Sequence, residues 1–297
     1  MTKNLTKTLN IKASGHKDID FVDVSLVSDT KLFIDPCLIE TDNSEWAKKA
    51  CKTMNSFFDV LYSNFTPPTN YANLYQLFQH SRERNEARLG YGNGDNGKGN
   101  TAAGMIKILA DVPHLIESGI KMTSPIDLPL FVVGFAEDGM SDMLINVLYK
   151  ELTEFTVQQC KKHNIPTTPI DCDRYYWDVD TNSWQLYRGD CLMLDGKIIL
   201  LIPKNIVRKS YYYDTSQYFN SIFVKRIKKD KTECIKQKEI YDAECKKYGS
   251  VIEAARHHTM KSPEDLEYYH TNMPIAYKSK SMTDEQLDSY VYGIRKK

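Results

Sequence analysis

The chain has 297 residues, and 39 Lys and Arg balance 39 Asp and Glu, so its formal net charge is zero. A chain of this length can bury a full core and can hold one large domain or two smaller ones. The zero balance excludes a global attraction to nucleic acid or membranes, so any such attraction has to come from local patches. The seven cysteines are scattered without a CxxC pair, which favours reduced thiols over a disulfide framework or a zinc site.

The N-terminal sequence lacks the apolar stretch of a signal peptide. The longest apolar runs, KIILLIP and LPLFVVGF, are much shorter than the roughly twenty residues that a membrane helix needs. We therefore expect a cytoplasmic protein without a membrane partner.

Residues 19–35 alternate apolar and polar side chains on both sides of a Ser-Asp-Thr-Lys turn. This alternation predicts an N-terminal β-hairpin with one covered face. Pro36 lacks a backbone N–H donor, so we expect the second strand to end at Asp35.

The next part of the chain is predicted to be helical. Apolar spacing and capping residues place helices at about 44–64, 71–88, 101–118 and 139–163. Ser44 and Thr101 carry the hydroxyl of a helix N-cap, and Asn164 with Pro166 ends the last helix.

A β-rich segment follows, with strands predicted near 174–179, 183–188, 190–194 and 197–203. Asp195-Gly196 between two apolar runs is a strong hairpin signal. From residue 214 the chain is charged and helical, and Thr283 begins a capping box. The sequence thus predicts an α+β fold, in which an N-terminal β-hairpin and a central antiparallel β-meander pack with several helices. We expect a core domain over 1–213 and a helical region over 214–297.

In the helix at 139–163, Asp142 and Asn146 lie opposite the apolar stripe, which predicts a solvated face. Glu151 lies within the apolar stripe. A carboxylate is almost never buried without a partner, so we expect Glu151 to form a structural ion pair.

Acidic turns and a strand-end lysine are typical of hard-cation phosphoester sites. Asp35, Asp138 and Asp142 are candidate catalytic ligands of Mg²⁺, and Lys204 is the candidate cation for the transition state. Asp195-Gly196-Lys197, with Asp171 or Asp173 upstream, imitates the acid and acid-x-Lys pattern of metal-dependent nucleases. Because Asp195 falls in a tight turn, a simple hairpin is the favoured interpretation.

The glycine-rich segment LGYGNGDNGKGNTAAG contains a GxGxxG pattern, but no strand precedes it, which excludes a dinucleotide fingerprint. Its glycine amides lead into a helix that begins at Thr101. Together with Arg84, Arg88 and Lys98, they form a candidate phosphate-binding site. A surface loop without a ligand is the alternative.

The basic run VKRIKKDK follows a tyrosine-rich stretch. Lysines for phosphates and aromatic rings for bases make this segment a candidate nucleic-acid-binding surface, and an ordinary solvated helix face is the alternative. The candidate residues are Lys225, Arg226, Lys228 and Lys229.

The phrases DTKLFIDPCLI, EDGMSDMLINVL and KIILLIPKNIVR resemble a pattern in an uncharacterised bacterial protein family without an assigned activity. The resemblance favours Asp35, Asp138, Asp142 and Lys204 among the candidates.

Two hypotheses for the function follow. The first is a Mg²⁺-dependent phosphodiesterase or nuclease that acts on nucleic acid or nucleotides as a bacterial defence effector. The second is a non-catalytic module that binds nucleic acid, a nucleotide or a partner protein.

Overall fold

The computed structural model describes residues 4–81, 84–92, 101–170, 172–230, 235–277 and 281–293. Of the predicted features, Lys98, Asp171 and the glycine-rich residues 93–100 lie outside these ranges.

The described residues form an α+β fold, which confirms the predicted fold class. The helices of the first 213 residues are α1 Leu5–Thr8, α2 Pro36–Thr41, α3 Glu45–Phe65, α4 Tyr71–Phe78, α5 Ala102–Ile108, α6 Val112–Glu117, α7 Asp127–Phe131, α8 Glu137–Val147 and α9 Tyr149–Lys162. Those that follow are α10 Thr215–Phe219, α11 Lys225–Asp230, α12 Gln237–Tyr248, α13 Val251–Lys261, α14 Glu264–Tyr277 and α15 Asp284–Tyr292, with a π-helical turn at Asn220–Val224. The strands are β1 Phe33–Ile34, β2 Thr168–Pro169, β3 Tyr175–Asp178, β4 Ser183–Leu186, β5 Asp190–Leu194, β6 Lys197–Ile199 and β7 Val207–Arg208.

The predicted N-terminal hairpin is wrong, because segment 19–35 pairs with distant parts of the chain. Strand β1 is antiparallel to β7, with Phe33 opposite Arg208. Phe21 forms a bridge with Pro203, and Thr30 forms one with Leu89. The alternation of side chains indicated that one face is covered, but it does not specify which strand supplies the hydrogen bonds.

The predicted meander is two separate hairpins. Strands β3 and β4 form a two-stranded sheet, whereas β5 pairs with both β6 and β2. The break lies between β4 and β5, where Tyr187 N–H donates to the Arg174 carbonyl and the Gly189 carbonyl accepts from Ile170 N–H. The backbone on the two sides of Arg188 therefore bonds to different sheets.

The helix starts agree with the capping signals, and the ends predicted near 64 and 163 are observed at Phe65 and Lys162, whereas the ends of the other two predicted helices differ. The Ser44 and Thr101 hydroxyls accept from Ala47 N–H and Gly104 N–H, as N-cap residues do. Helix α4 ends at Phe78 instead of about 88, and the segment that follows bonds to a distant part of the chain, since Thr30 N–H donates to the Arg88 carbonyl. The helix predicted at 101–118 is split before α6, which carries a proline in its first turn.

Where α8 meets α9, the side opposite the apolar stripe is buried as well, so the predicted solvated face is wrong at Asn146. Asn146 is 1% exposed, and Tyr149 and Thr153 are buried as well. Helix α3 packs against α8 and α9, and strands β1, β3 and β5 also contact this helix pair. A helix enclosed in this way buries its polar face together with its apolar stripe, and each polar group then needs a local hydrogen bond.

One continuous hydrophobic core includes residues from both sides of position 213, such as Phe21, Leu144, Leu266 and Leu287. Helix α15 is attached to the N-terminal segment by polar contacts. Tyr292 donates to Asp23 Oδ2 at 2.9 Å, and His16 Nδ1 lies 2.6 Å from Asp288 Oδ1. The C-terminal helices are thus packed on the core.

Within the ranges that the structure describes, no helix is both long and apolar enough to span a bilayer.

Candidate anion-binding site

The main candidate site is a cavity of about 580 Å³ between three segments that are distant in sequence. The wall is formed by the segment that follows α4, by the residues just before β3 and by the β5–β6 hairpin. Its charged lining residues are Arg84, Glu86, Arg88, Arg174 and Lys197. We call this cavity the arginine pocket.

The β5–β6 turn positions Lys197 at the edge of the arginine pocket. Asp195 and Gly196 have φ angles of 49° and 75°, and Leu194 pairs with Lys197, which defines a tight two-residue hairpin. Asp-Gly is the dipeptide that adopts two successive positive φ angles most readily, so the predicted hairpin is confirmed here. Lys197, at the end of this turn, is exposed.

The segment after α4 forms the opposite wall, and backbone hydrogen bonds to distant residues hold it in place. Leu200 N–H donates to the Glu86 carbonyl at 2.8 Å, and Gly90 N–H donates to the Thr30 carbonyl at 3.0 Å. Arg88 has a φ of 53°, a left-handed conformation that few non-glycine residues adopt. This bend curves residues 84–88 around the cavity.

Two arginines of the pocket share one carboxylate. Arg174 Nε donates to Glu86 Oε1 at 2.7 Å, and Arg84 Nη1 lies 3.7 Å from Glu86 Oε2. Arg84 is fixed further, because its Nε donates to Asn146 Oδ1 at 2.6 Å and its guanidinium lies 4.7 Å from the centre of the Tyr149 ring. Both guanidinium groups are therefore held in place before any ligand arrives.

Among the described lining residues, cationic side chains outnumber carboxylates by four to one. Burial lowers the pKa of Arg84, and the Glu86 carboxylate opposes that shift. An arginine stays charged even after such a shift, so the described lining suits an anion better than a cation.

The structure assigns Asp35 a structural position. Its side chain is 1% exposed and accepts from Cys37 N–H at 2.8 Å as the N-cap of α2. Arg208 Nε lies 2.5 Å from Asp35 Oδ2, which makes a buried ion pair across β1 and β7. Burial raises the pKa of Asp35, against the charge of Arg208.

The other two predicted carboxylate ligands lie on α8 and are partly exposed. Burial raises the pKa of Asp138, and a hydrogen bond from the Tyr91 backbone opposes that shift. Within the described ranges, no three His, Cys, Asp or Glu side chains are grouped as a metal site needs. Asp35, Asp138 and Asp142 are therefore not brought together as three ligands.

Lys204 joins the core to the last helix. Its Nζ lies 2.7 Å from Asp284 Oδ1 and donates to the His16 carbonyl at 2.6 Å. The first contact holds the N-terminus of α15 and the second holds the N-terminal segment at His16, so the structure gives this lysine a structural role beside the predicted catalytic one.

Of the predicted phosphate-binding residues, Arg84 and Arg88 meet in the arginine pocket. Thr101 caps α5, and Lys98 lies outside the described residues. Sequence reasoning missed Arg174 and Glu86. Their spacing of almost ninety positions carries no local signal, and only the pairing of distant segments brings them together.

The predicted nucleic-acid-binding residues lie on α11. Lys225, Lys228 and Lys229 are exposed and follow the helical spacing of one face. Arg226 instead lies 2.5 Å from Asp265 Oδ2 and over the Phe223 ring, which ties α11 to α14.

The fold and this site define an α+β protein with a cavity lined mainly by cationic side chains among the described residues. The chain matches the family described as "Domain of unknown function (DUF8370)" over residues 10–214, so it belongs to that family. The expected kinship with an uncharacterised family is confirmed. No curated protein and no solved structure matched the chain. The match spans all segments that build the arginine pocket and ends before α10.

Proposed function

We propose that this protein binds a phosphate-bearing ligand, a nucleotide or the backbone of a nucleic acid, in the arginine pocket. The observation that carries the proposal is the lining of this cavity, in which four cationic side chains surround one carboxylate.

The chemistry of the lining favours phosphate among anions. Arginine presents a planar fork of donors that matches phosphate oxygens, and lysine adds a point charge at the edge of the site. The cavity volume of about 580 Å³ falls within the roughly 300–1,000 Å³ of small-molecule sites. Because Glu86 and Asn146 already orient two guanidinium groups, little ordering entropy is lost on binding.

Metal-dependent hydrolysis of a phosphodiester, and with it a role in bacterial defence, remains a prediction from the sequence. We rank this function second, because Asp35 forms an ion pair with Arg208 and the candidate carboxylates are not grouped among the described residues. Incubation of a labelled oligonucleotide with the protein and Mg²⁺ tests it. Cleavage that is lost in Asp138→Asn would raise it to first place.

The binding proposal is tested by calorimetric titration with pyrophosphate, ATP and a short single-stranded oligonucleotide. Lys197→Gln removes one charge from an exposed position and leaves the core intact. We expect it to weaken binding about tenfold, since a hydrogen bond to a charged group contributes about 1.5 kcal/mol or more. Binding should also weaken steeply with added salt if several phosphates are contacted.

The matched control is Arg188→Gln. Arg188 lies between Arg174 and Lys197 in the sequence. Its side chain is 64% exposed, and its ion pair with Asp173 is long at 3.9 Å. This variant should bind like the wild type. Equal losses in both variants, or a loss only when Lys225, Lys228 and Lys229 are replaced, would contradict the arginine pocket as the binding site.

A further inference from the structure

A second cavity, of about 440 Å³, lies between α3, α4 and the β3–β4 hairpin. Five carboxamide side chains line it, together with His80, Trp177 and Trp184. The carboxamides are those of Asn64, Asn73, Gln76, Gln79 and Asn182. We call this cavity the amide cleft. It shares no lining residue with the arginine pocket.

The aromatic wall of the amide cleft is rigid. Trp184 Nε1 donates to the Leu77 carbonyl at 2.9 Å, and Trp177 Nε1 donates to Ser56 Oγ at 3.0 Å. The two indoles pack edge to face with centroids 5.7 Å apart, and both contact Phe57. Trp177 is buried, so Trp184, which is partly exposed, supplies the ring surface of this wall.

The opposite wall offers hydrogen bonds without charge. Asn64 donates to the Val60 carbonyl and Asn182 accepts from Ser56, whereas the carboxamides of Asn73, Gln76 and Gln79 have no protein partner among the described residues. No Asp, Glu, Lys or Arg is part of the described lining. Burial, together with the charge of Arg84, lowers the pKa of His80, which keeps that imidazole neutral at neutral pH.

A flat, uncharged ring with donors and acceptors on its edge fits these two walls. Nucleobases stack on aromatic side chains, and their edges form paired hydrogen bonds with the carboxamides of Asn and Gln. We infer that the amide cleft binds a nucleobase, with Trp184 against its face and Gln76 and Gln79 on its edge. This inference does not depend on phosphate binding in the arginine pocket.

Saturation-transfer NMR of the full chain with adenosine, guanosine, cytidine and uridine tests the inference. Nucleosides carry no phosphate, so their binding does not depend on phosphate recognition in the arginine pocket. We expect transfer to the base protons of at least one nucleoside. The double variant Gln76→Ala, Gln79→Ala should weaken that binding about thirtyfold, because both hydrogen bonds to the edge of the base are lost.

The control is Gln158→Ala, the same change at an exposed position of α9 away from the amide cleft. It should bind like the wild type. Asn73→Ala gives an independent variant if the double variant fails to fold. The inference is overturned if no nucleoside shows transfer at millimolar concentration, or if methyl glycosides bind and nucleosides do not. Nucleoside binding that survives both cleft variants but is lost in Lys197→Gln would also overturn it.

Discussion

Glu151 lies in the interior without an ion pair among the described residues. Its side chain is 8% exposed, Oε1 accepts from the Thr53 hydroxyl at 2.6 Å, and Oε2 has no hydrogen-bond partner. The sequence correctly indicated that this carboxylate is buried, but the expected ion pair is wrong. Burial raises the pKa of Glu151, against the hydrogen bond from Thr53, and this shift favours the neutral carboxyl form at a position without a cationic partner among the described residues.

This raised pKa predicts how stability depends on pH. The folded chain retains the Glu151 proton above the usual value of 4.5, where the unfolded chain has released it. The stabilisation is therefore complete below pH 4.5 and is lost as the pH rises through the folded pKa. Glu151→Gln has no proton to release at this position, so its stability should not fall over this pH range. In urea unfolding, the free energy of unfolding of the variant relative to the wild type should rise by about 1.4 kcal/mol per pH unit from pH 4.5 to the folded pKa.

Glu154→Gln, an exposed change on the same helix, is the control and should leave the pH profile as it is in the wild type. A constant difference in the free energy of unfolding between Glu151→Gln and wild type from pH 4 to 8 would contradict a raised pKa at this position.

Asp35 shows why one residue can carry two sequence signals. A carboxylate at a strand end predicted a ligand here, whereas Asp directly before Pro also fits a helix N-cap with proline at the first helical position, which was not predicted. In the structure the N-cap is formed, and the buried contact with Arg208 adds an ion pair. Because Arg208 is distant in sequence, no local pattern distinguishes these two roles.

At the scale of elements, capping and turn residues predicted where helices and hairpins begin. Ser44, Thr101 and Thr283 act as N-caps, and Asp195-Gly196 forms its turn. Long-range strand partners were not predicted, since β1 with β7 and Phe21 with Pro203 pair residues that local patterns cannot relate. The end of α4 was not predicted either, and the segment after it bonds to the distant Thr30.

The β5–β6 turn links local conformation to the proposed binding. Gly196 has a φ of 75°, so Gly196→Ala should cost about 1 kcal/mol of stability and shift Lys197 relative to the arginines. Gly249→Ala, at the C-terminus of α12 with a φ of 88°, is the matched control of equal strain. Denaturation and pyrophosphate titration should show both variants destabilised and only Gly196→Ala weakened in binding. Unchanged pyrophosphate binding in Gly196→Ala would contradict the role given to this turn.

At the scale of the whole molecule, the arginine pocket exists only because three distant segments converge. The sequence predicted Arg84 and Arg88 as phosphate-binding residues from their place before a glycine-rich segment. Arg174, Glu86 and the position of Lys197 depend on the pairing of β5 with β6 and on the bond from Leu200 to Glu86. A site of this kind follows from tertiary packing and not from a motif.

Packing across the whole molecule also determines the position of the C-terminal helices. The family match ends at residue 214, yet Leu266, Leu287 and Met273 are part of the core that the first 213 residues form. The polar contacts of α15 with His16, Asp23 and Lys204 add specific attachment points. The arginine pocket itself is built without a residue from this region.

A crystal grown or soaked with tungstate tests phosphate binding most directly, because tungsten gives a strong anomalous signal at the position of a phosphate-like anion. We predict the strongest anomalous peak within hydrogen-bond distance of Arg84, Arg174 and Lys197. An empty arginine pocket, with tungstate bound instead along the exposed lysines of α11, would contradict the proposed function.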